Sequence, residues 1–287
     1  MTEPLAGPLP FGGHNIDLGN GHVTRPESPT TLEQSDHLRS VLRTLQVLVP
    51  QSQIASTRIV DLGCLEGGYS LALAKMGFDV VGIEAREDNV RKCEWVKSHF
   101  TLPNLRFVKD DARNFAHYGP FDVVFCAGLL YHLDYPVAFI ELMGRVAQRA
   151  VIVHSHYAQA EDPRYDSPPR PRLLKRIAQR LWCSARQPPV TRHDYHLSAL
   201  TRHEGRAGRW YTEFDEHTSV AHMEQSTTAA YANVRSFWLV KEELIDAIRA
   251  AGFGIVYEQY DFLPSAVDDD YIRRYDRSMF VGVKVAS

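Results

Sequence analysis

The 287-residue sequence has four cysteines, and none of them forms a close pair or a metal-ligand spacing. Cys64, Cys93, Cys126 and Cys183 therefore predict neither a disulfide framework nor a metal site, and a reduced cytoplasm is the expected compartment. Long apolar runs are also missing. The longest, around VVFCAGLLY, is too short to span a bilayer. The opening MTEPLAGPLPFGG has neither the basic region nor the apolar core of a secretory signal. No internal repeat occurs. Neither sign of charge is in excess: the formal net charge of -3 gives no global reason to expect a nucleic-acid partner.

What is present is an ordinary globular balance of apolar and charged residues, with a clear change of pattern along the chain. Residues 1–31 are rich in Pro and Gly. Within them HNIDLGNGHVT alternates Ile16 and Leu18, turns at Gly19-Asn20-Gly21 and returns at Val23, which predicts a small hairpin. Leu38, Val41, Leu42, Leu45 and Leu48 then follow at helical spacing. From Arg58 strands alternate with helices: RIVDL, DVVGIE, LRFVKD, FDVVFCA and AVIVHS are separated by helices over Gly68–Lys75, Asp88–His99 and Pro136–Val146. Near-continuous apolar strands of this kind imply a parallel sheet buried on both faces. After Ser155 the signals are mixed. FWLVKEELIDAIRAAGF then predicts a helix ending at Gly252, and IVYEQYDF and MFVGVKV predict two last strands. The expected organisation is an N-terminal extension over 1–57, a doubly wound domain over 58–156 and 237–287, and an insertion over 157–236.

The stretch VDLGCLEGGYSLALAKMGFDVVGIEA puts an acid at the tip of each of two adjacent strands, with a glycine-bearing turn between them. Ligands of doubly wound sheets bind at the carboxyl ends of the strands. The run Gly63-Cys64-Leu65-Glu66-Gly67-Gly68 lacks the G-x-G-x-x-G spacing of a dinucleotide site, and Glu66 would repel a phosphate there. A cationic ligand fits better: Asp61 and Glu66 lie near the turn, and Glu84 is placed to accept from a ribose diol. The alternative is that the glycines only permit tight packing of helix on strand.

Together these residues resemble the class I S-adenosylmethionine-dependent methyltransferases. VDLGCLEGG is similar to that family's first motif, which implies cofactor contacts at Asp61, Gly63, Cys64, Leu65 and Gly67. Glu84 and Ala85 fall where the family holds the ribose. KDDARNF resembles the adenine-contacting segment, with Asp111 and Ala112. FDVVFCAGLLYHL resembles the fourth-strand motif, where Ala127 and Gly128 would line the methionine end. AAGF before a late strand is also usual in the family. The resemblance covers roughly Arg58 to Ser155 and Phe237 to the end. It implies a Rossmann-like sheet of seven strands and S-adenosyl-L-methionine as cofactor. Leu65 departs from the pattern, since the family commonly has glycine there. HNIDLGNGHVT with GLLYHL is also similar to the tRNA wobble-uridine carboxymethyltransferase group and to small-molecule methyltransferases of the same layout.

Methyl transfer asks the protein to align a nucleophile, and a base helps when that nucleophile carries a proton. The base candidates follow strand ends: Tyr131 and His132, then His154, His156 and Tyr157. His132 comes first and His154 second. The alternative for His132 is a structural hydrogen bond beneath the next helix. No tight cluster supports a metal. In the insertion, Trp210, Tyr211, Asn233, Arg235 and Trp238 suit a small-molecule pocket, with Trp238 better read as core. Between Arg164 and Arg192 lie eight Lys or Arg and one acid, Asp166. RLLKRIAQRLW there predicts an amphipathic basic helix, either a solvated lid or a contact for RNA, a membrane surface or an acidic carrier protein. The expected activity is methylation of a hydroxyl, carboxylate or amine on a small metabolite or natural-product intermediate. An RNA-modifying enzyme of the wobble-uridine type and a non-catalytic cofactor-binding scaffold are the alternatives.

Overall fold

A computed structural model describes residues 10–162, 197–262 and 276–285. The basic stretch 164–192, its expected helix and Cys183 lie outside the described residues. The extension folds as a hairpin of β1 (Asp17–Gly19) and β2 (His22–Val23), followed by α1 (Asp36–Leu48). The Ser35 hydroxyl caps α1 by accepting from the Leu38 N–H.

The central elements are β3 (Arg58–Leu62), α2 (Gly68–Lys75), β4 (Asp79–Glu84), α3 (Glu87–Lys97), β5 (Leu105–Lys109), β6 (Phe121–Ala127), α4 (Pro136–Val146) and β7 (Ala147–His156). A second, three-stranded sheet is built from β8 (Thr201–His203), β9 (Arg206–Thr212) and β10 (Arg235–Leu239), with α5 (Val220–Gln225) between the last two strands. Then α6 (Lys241–Ala250), β11 (Ile255–Gln259) and β12 (Arg277–Val283) return to the main sheet. The main sheet has seven strands in the order β11-β12-β7-β6-β3-β4-β5. β12 runs antiparallel to both of its neighbours, and the five strands from β7 to β5 are parallel.

Both faces of this sheet are covered, which explains why its strands carry so few polar residues. Ile59, Val80, Phe125 and Ile152 pack on one side with Val41 and Leu45 of α1 and Leu71 of α2. Val60, Val81, Val124 and Val151 pack on the other with Ile140 and Met143 of α4 and Leu244 and Ile248 of α6. Val41 and Leu45 are each 1% exposed. Burial of two such side chains, at about 1.5–3 kcal/mol each, ties the extension to the sheet.

FWLV does not open a helix. Phe237 to Leu239 lie in β10, paired with β9, and the helix begins only at Lys241 with Glu242 and Glu243 in its first turn. A short apolar run suits strand and helix equally by periodicity, and here the unpaired edge of β9 decides.

Candidate active site

The carboxyl ends of β3, β4, β6 and β7 meet at a cavity of about 380 Å3. Its walls contain Asp61, Gly63, Cys64, Leu65, Glu84, Ala85, Asp111, Ala112, Ala127, Gly128, His132 and His154. One residue of the expected set, Gly67, is not on the walls. It occupies the N-cap of α2 at φ +80°, and a Cβ there would lie 2.8 Å from the Phe107 ring. Gly67 is glycine because helix and strand pack closely at that point.

The turn after β3 leaves little side chain between the two acids. Gly63 has φ +66°, and the N–H groups of Gly63 and Cys64 both donate to the Ile83 carbonyl. Leu65, where the resembling family has glycine, takes φ +54°. That conformation costs roughly 1–2 kcal/mol for a residue with a Cβ. It is held by the Leu65 N–H donating to Glu84 Oε2 at 3.0 Å, while the Leu65 carbonyl accepts from the Cys93 thiol. Glu84 Oε1 accepts from the Arg86 N–H at 3.0 Å. These bonds orient the carboxylate and still leave it acceptor capacity. Burial raises the Glu84 pKa against the opposing pull of Arg86. Asp61 is 3% exposed and accepts from the Ser70 hydroxyl at 2.6 Å. Burial, opposed by Ser70, pushes its carboxyl up to about 7. Asp111 caps the following 3-10 turn and pairs with Arg113.

Glu66 does not face a ligand. Its carboxylate accepts from the N–H groups of Gly12, Gly13 and His14 at 2.8, 3.1 and 2.7 Å, and it pairs with Lys92 at 3.1 Å. Burial alone would raise its pKa, but the Gly12 and His14 N–H donors and the Lys92 ammonium outweigh it and hold it below the ordinary value. Glu66 thus latches the extension onto the domain and brings His14 to the cavity wall. His14 Nδ1 accepts from the Gly68 N–H at 3.2 Å, which leaves the proton on Nε2. Burial pushes His14 down to about 4 against the pull of Glu66.

At the other end, His132 closes a 3-10 turn after β6. Its Nδ1 lies 2.9 Å from both carboxylate oxygens of Glu213, which also accept from the Ala230 N–H and the Ser236 hydroxyl. The Asn233 amide donates to the His132 carbonyl at 2.9 Å. His154 is 6% exposed, and its Nε2 has no hydrogen-bond partner among the described residues. Burial first, then Arg277, holds its pKa well below the ordinary value. A proton is hard to add there, which makes His154 a poor general base.

Several wall residues were not found by sequence reasoning. His14, Leu32 and His37 come from the extension, and Thr227, Ala229 and Tyr231 from the chain after α5. Arg86 links that chain to β4: its guanidinium faces the carbonyls of Met223, Glu224, Ala229 and Ala230. No local signal marks these residues, because each reaches the cavity through a distant contact. Of the insertion's aromatics, Trp210 packs on Phe237 and Trp238 is core, its indole N–H donating to the Tyr131 carbonyl. Among the described residues no group of three or more His, Cys, Asp or Glu could hold a metal ion, and no helix is long and apolar enough to cross a membrane.

Residues 54–187 match a family model described as a methyltransferase domain. The chain carries a methyltransferase domain. Among curated methyltransferases, the ubiquinone biosynthesis O-methyltransferase of Methylococcus capsulatus is 30% identical over 135 residues, covering 46% of this chain and 56% of that protein. The 23S rRNA (uracil(1939)-C(5))-methyltransferase RlmD of Thiobacillus denitrificans is 33% identical over 103 residues, covering 34% of this chain and 23% of that protein. The chain thus spans about half or less of the length of these two relatives. Among solved structures, the N-terminal domain of EvdMO1, crystallised with SAH bound, shares the methyltransferase fold. Its TM-score is 0.57 at 23% identity, covering 88% of this chain and 82% of that one.

Proposed function

We propose that the chain transfers the methyl group of S-adenosylmethionine to a hydroxyl of a small metabolite or natural-product intermediate. Carboxylates and amines remain chemically related acceptors. The observation that carries this reading is the His132–Glu213 pair at the cavity wall. An ionised carboxylate only accepts, so His132 Nδ1 must be the donor, and Nε2 keeps the lone pair of the neutral ring.

The residues present fit the donor. Glu84 has lone pairs for a ribose diol, Asp61 offers a carboxyl to an ammonium, and the Gly63–Leu65 turn allows close approach of backbone. Bound S-adenosylmethionine supplies an electrophilic methyl on a sulfonium. As the acceptor oxygen bonds the methyl and the sulfonium S–CH3 bond breaks to release S-adenosylhomocysteine, His132 Nε2 would take the hydroxyl proton and Glu213 would stabilise the imidazolium so formed. Asn233 fixes the backbone that carries the base. A cavity of about 380 Å3 is in the size range of small-molecule sites, which supports a metabolite over an RNA strand. The buried free thiols of Cys64, Cys93 and Cys126 support a cytoplasmic site of action.

The test is release of S-adenosylhomocysteine with a panel of phenols, alcohols and amines, for the native protein and for His132→Ala. Turnover that falls about 10²–10⁴-fold in the variant, with donor affinity kept, is the expected result. Donor binding without turnover on any acceptor would establish the scaffold reading instead. RNA binding with a steep salt dependence would establish the RNA reading.

A further inference from the structure

Among the described residues three arginines line the cavity, and their surroundings differ. The guanidinium of Arg86 faces four carbonyls, and Arg113 is paired with Asp111. The side chain of Arg277 makes no hydrogen bond or ion pair among the described residues, and its Nε is buried without a partner. Arg277 opens β12, opposite His156 of β7, so it stands where the carboxyl end of β7 reaches the cavity. A Cβ placed on Gly128 would lie 3.6 Å from its Nη2, and its guanidinium carbon is 5.4 Å from the centre of the Tyr131 ring. It therefore lies at the same end of the cavity as His132. Glu84 closes β4 and Asp111 follows β5, on the far side of β3 from β6 and β7, while Asp61 lies within β3 between them.

No carboxylate pairs with Arg277 among the described residues: Asp276, next to it in the chain, pairs with His156 at 3.4 Å. The His37 and His154 rings lie 4.9 Å apart, tilted by 44°, and the pKa of each is lowered by burial first and then by Arg277, with Asp36 pulling His37 the other way. His154 Nε2 is also unpartnered among the described residues. Arg277 is half-buried with its Nε fully buried, and even a partly desolvated guanidinium without an anion is costly. Its planar fork of N–H donors matches a carboxylate in two-point contact, and among the described wall residues no second unpaired arginine stands beside it to favour a doubly charged phosphate.

We propose that Arg277 is the carboxylate-binding residue at the acceptor end of the cavity, so that the methyl acceptor is an acidic small molecule. The proposal rests on the methyltransferase reading. The carboxylate has one other source, the amino-acid end of the donor, and the experiment separates the two. Native protein and Arg277→Gln are titrated with S-adenosylhomocysteine and with 5′-methylthioadenosine, which lacks the amino-acid end. Both proteins, saturated with S-adenosylhomocysteine, are then titrated with benzoate and phenylacetate, each against its amide.

The expected result is unchanged affinity for both nucleosides, carboxylates preferred to amides by the native protein, and about 10- to 100-fold weaker carboxylate binding by the variant. The ligand-free variant should also melt no lower than the native protein, because it loses an unpaired cation; a structural arginine would lower the melting point. A loss confined to S-adenosylhomocysteine, with 5′-methylthioadenosine unaffected, assigns the carboxylate to the donor and overturns the acceptor assignment. No preference for carboxylate over amide, or a variant that binds every probe as the native protein does, overturns the role of Arg277. Absence of nucleoside binding by the native protein refutes the methyltransferase reading itself, and this proposal with it.

Discussion

His132 and Glu213 are 81 residues apart in sequence and 2.9 Å apart at their polar atoms. The carboxylate is 4% exposed and the imidazole 13%, so water competes little for the bond. Glu213 should act as a positioning residue for the base. Glu213→Gln is expected to lower kcat by less than His132→Ala does and to leave donor affinity intact. Glu213→Ala should also destabilise the fold by about 1–3 kcal/mol, since it strands the Ala230 N–H and the Ser236 hydroxyl. Steady-state rates and melting curves on one preparation check both statements. Equal kcat for the native protein and Glu213→Gln would remove the positioning role.

Glu84 requires care in the choice of substitution. Alanine would strand the N–H groups of Leu65 and Arg86, so lost binding and lost folding would be confounded. Glu84→Gln retains an acceptor oxygen but loses the charge. It should weaken S-adenosylmethionine binding by about 1–3 kcal/mol with a small change in melting temperature. Calorimetric titration measures the first quantity. An affinity within twofold of the native protein would remove the ribose assignment.

Asp61 should report donor binding through protons. Its carboxyl is pushed up from 3.8 to about 7, so near neutral pH it is partly protonated in the ligand-free protein. A bound cation favours the ionised form. Binding at pH 7 should therefore release about half a proton, and Asp61→Asn should abolish the release. Titration in buffers of different ionisation enthalpy measures it directly. In the ligand-free fold the native state binds the extra proton, so stability from this group is full below about 4 and declines as pH rises to about 7.

The latch at Glu66 has the opposite sign. Its pKa is held below the ordinary value, so its contribution is complete above the unfolded value and is lost as pH falls through the lower folded value. Acid should release the extension before the domain unfolds, seen as early proteolysis within residues 10–57. Glu66→Ala should do the same at neutral pH. It should also cost about 3–5 kcal/mol, because it leaves the Lys92 ammonium, 8% exposed, without its partner. An extension that stays protected in the variant would contradict the latch.

Much of the fold was legible from local pattern. The strand–turn–helix–strand run from Val60 to Ala85 could be placed in advance because apolar period, glycine position and strand-end acids are properties of near neighbours. The same pattern placed Asp61, Glu84 and the end of β6 at one edge of the sheet. It misplaced FWLV, since a four-residue apolar run carries no period; Glu66, expected near the ligand turn, instead latches the extension, and Gly67 stands at the N-cap of α2, off the cavity wall.

What only the tertiary structure decided is how distant segments return to that edge. Glu66 takes the extension's backbone across 52 residues, His132 finds Glu213 across 81, and Arg86 reaches the Met223 carbonyl across 137. Local sequence determines which residues can make a strand or bare a turn, because those preferences are steric and short-ranged. It does not determine which buried charge meets which partner, because a carboxylate accepts equally from any donor that the folded chain brings within about 3 Å of it.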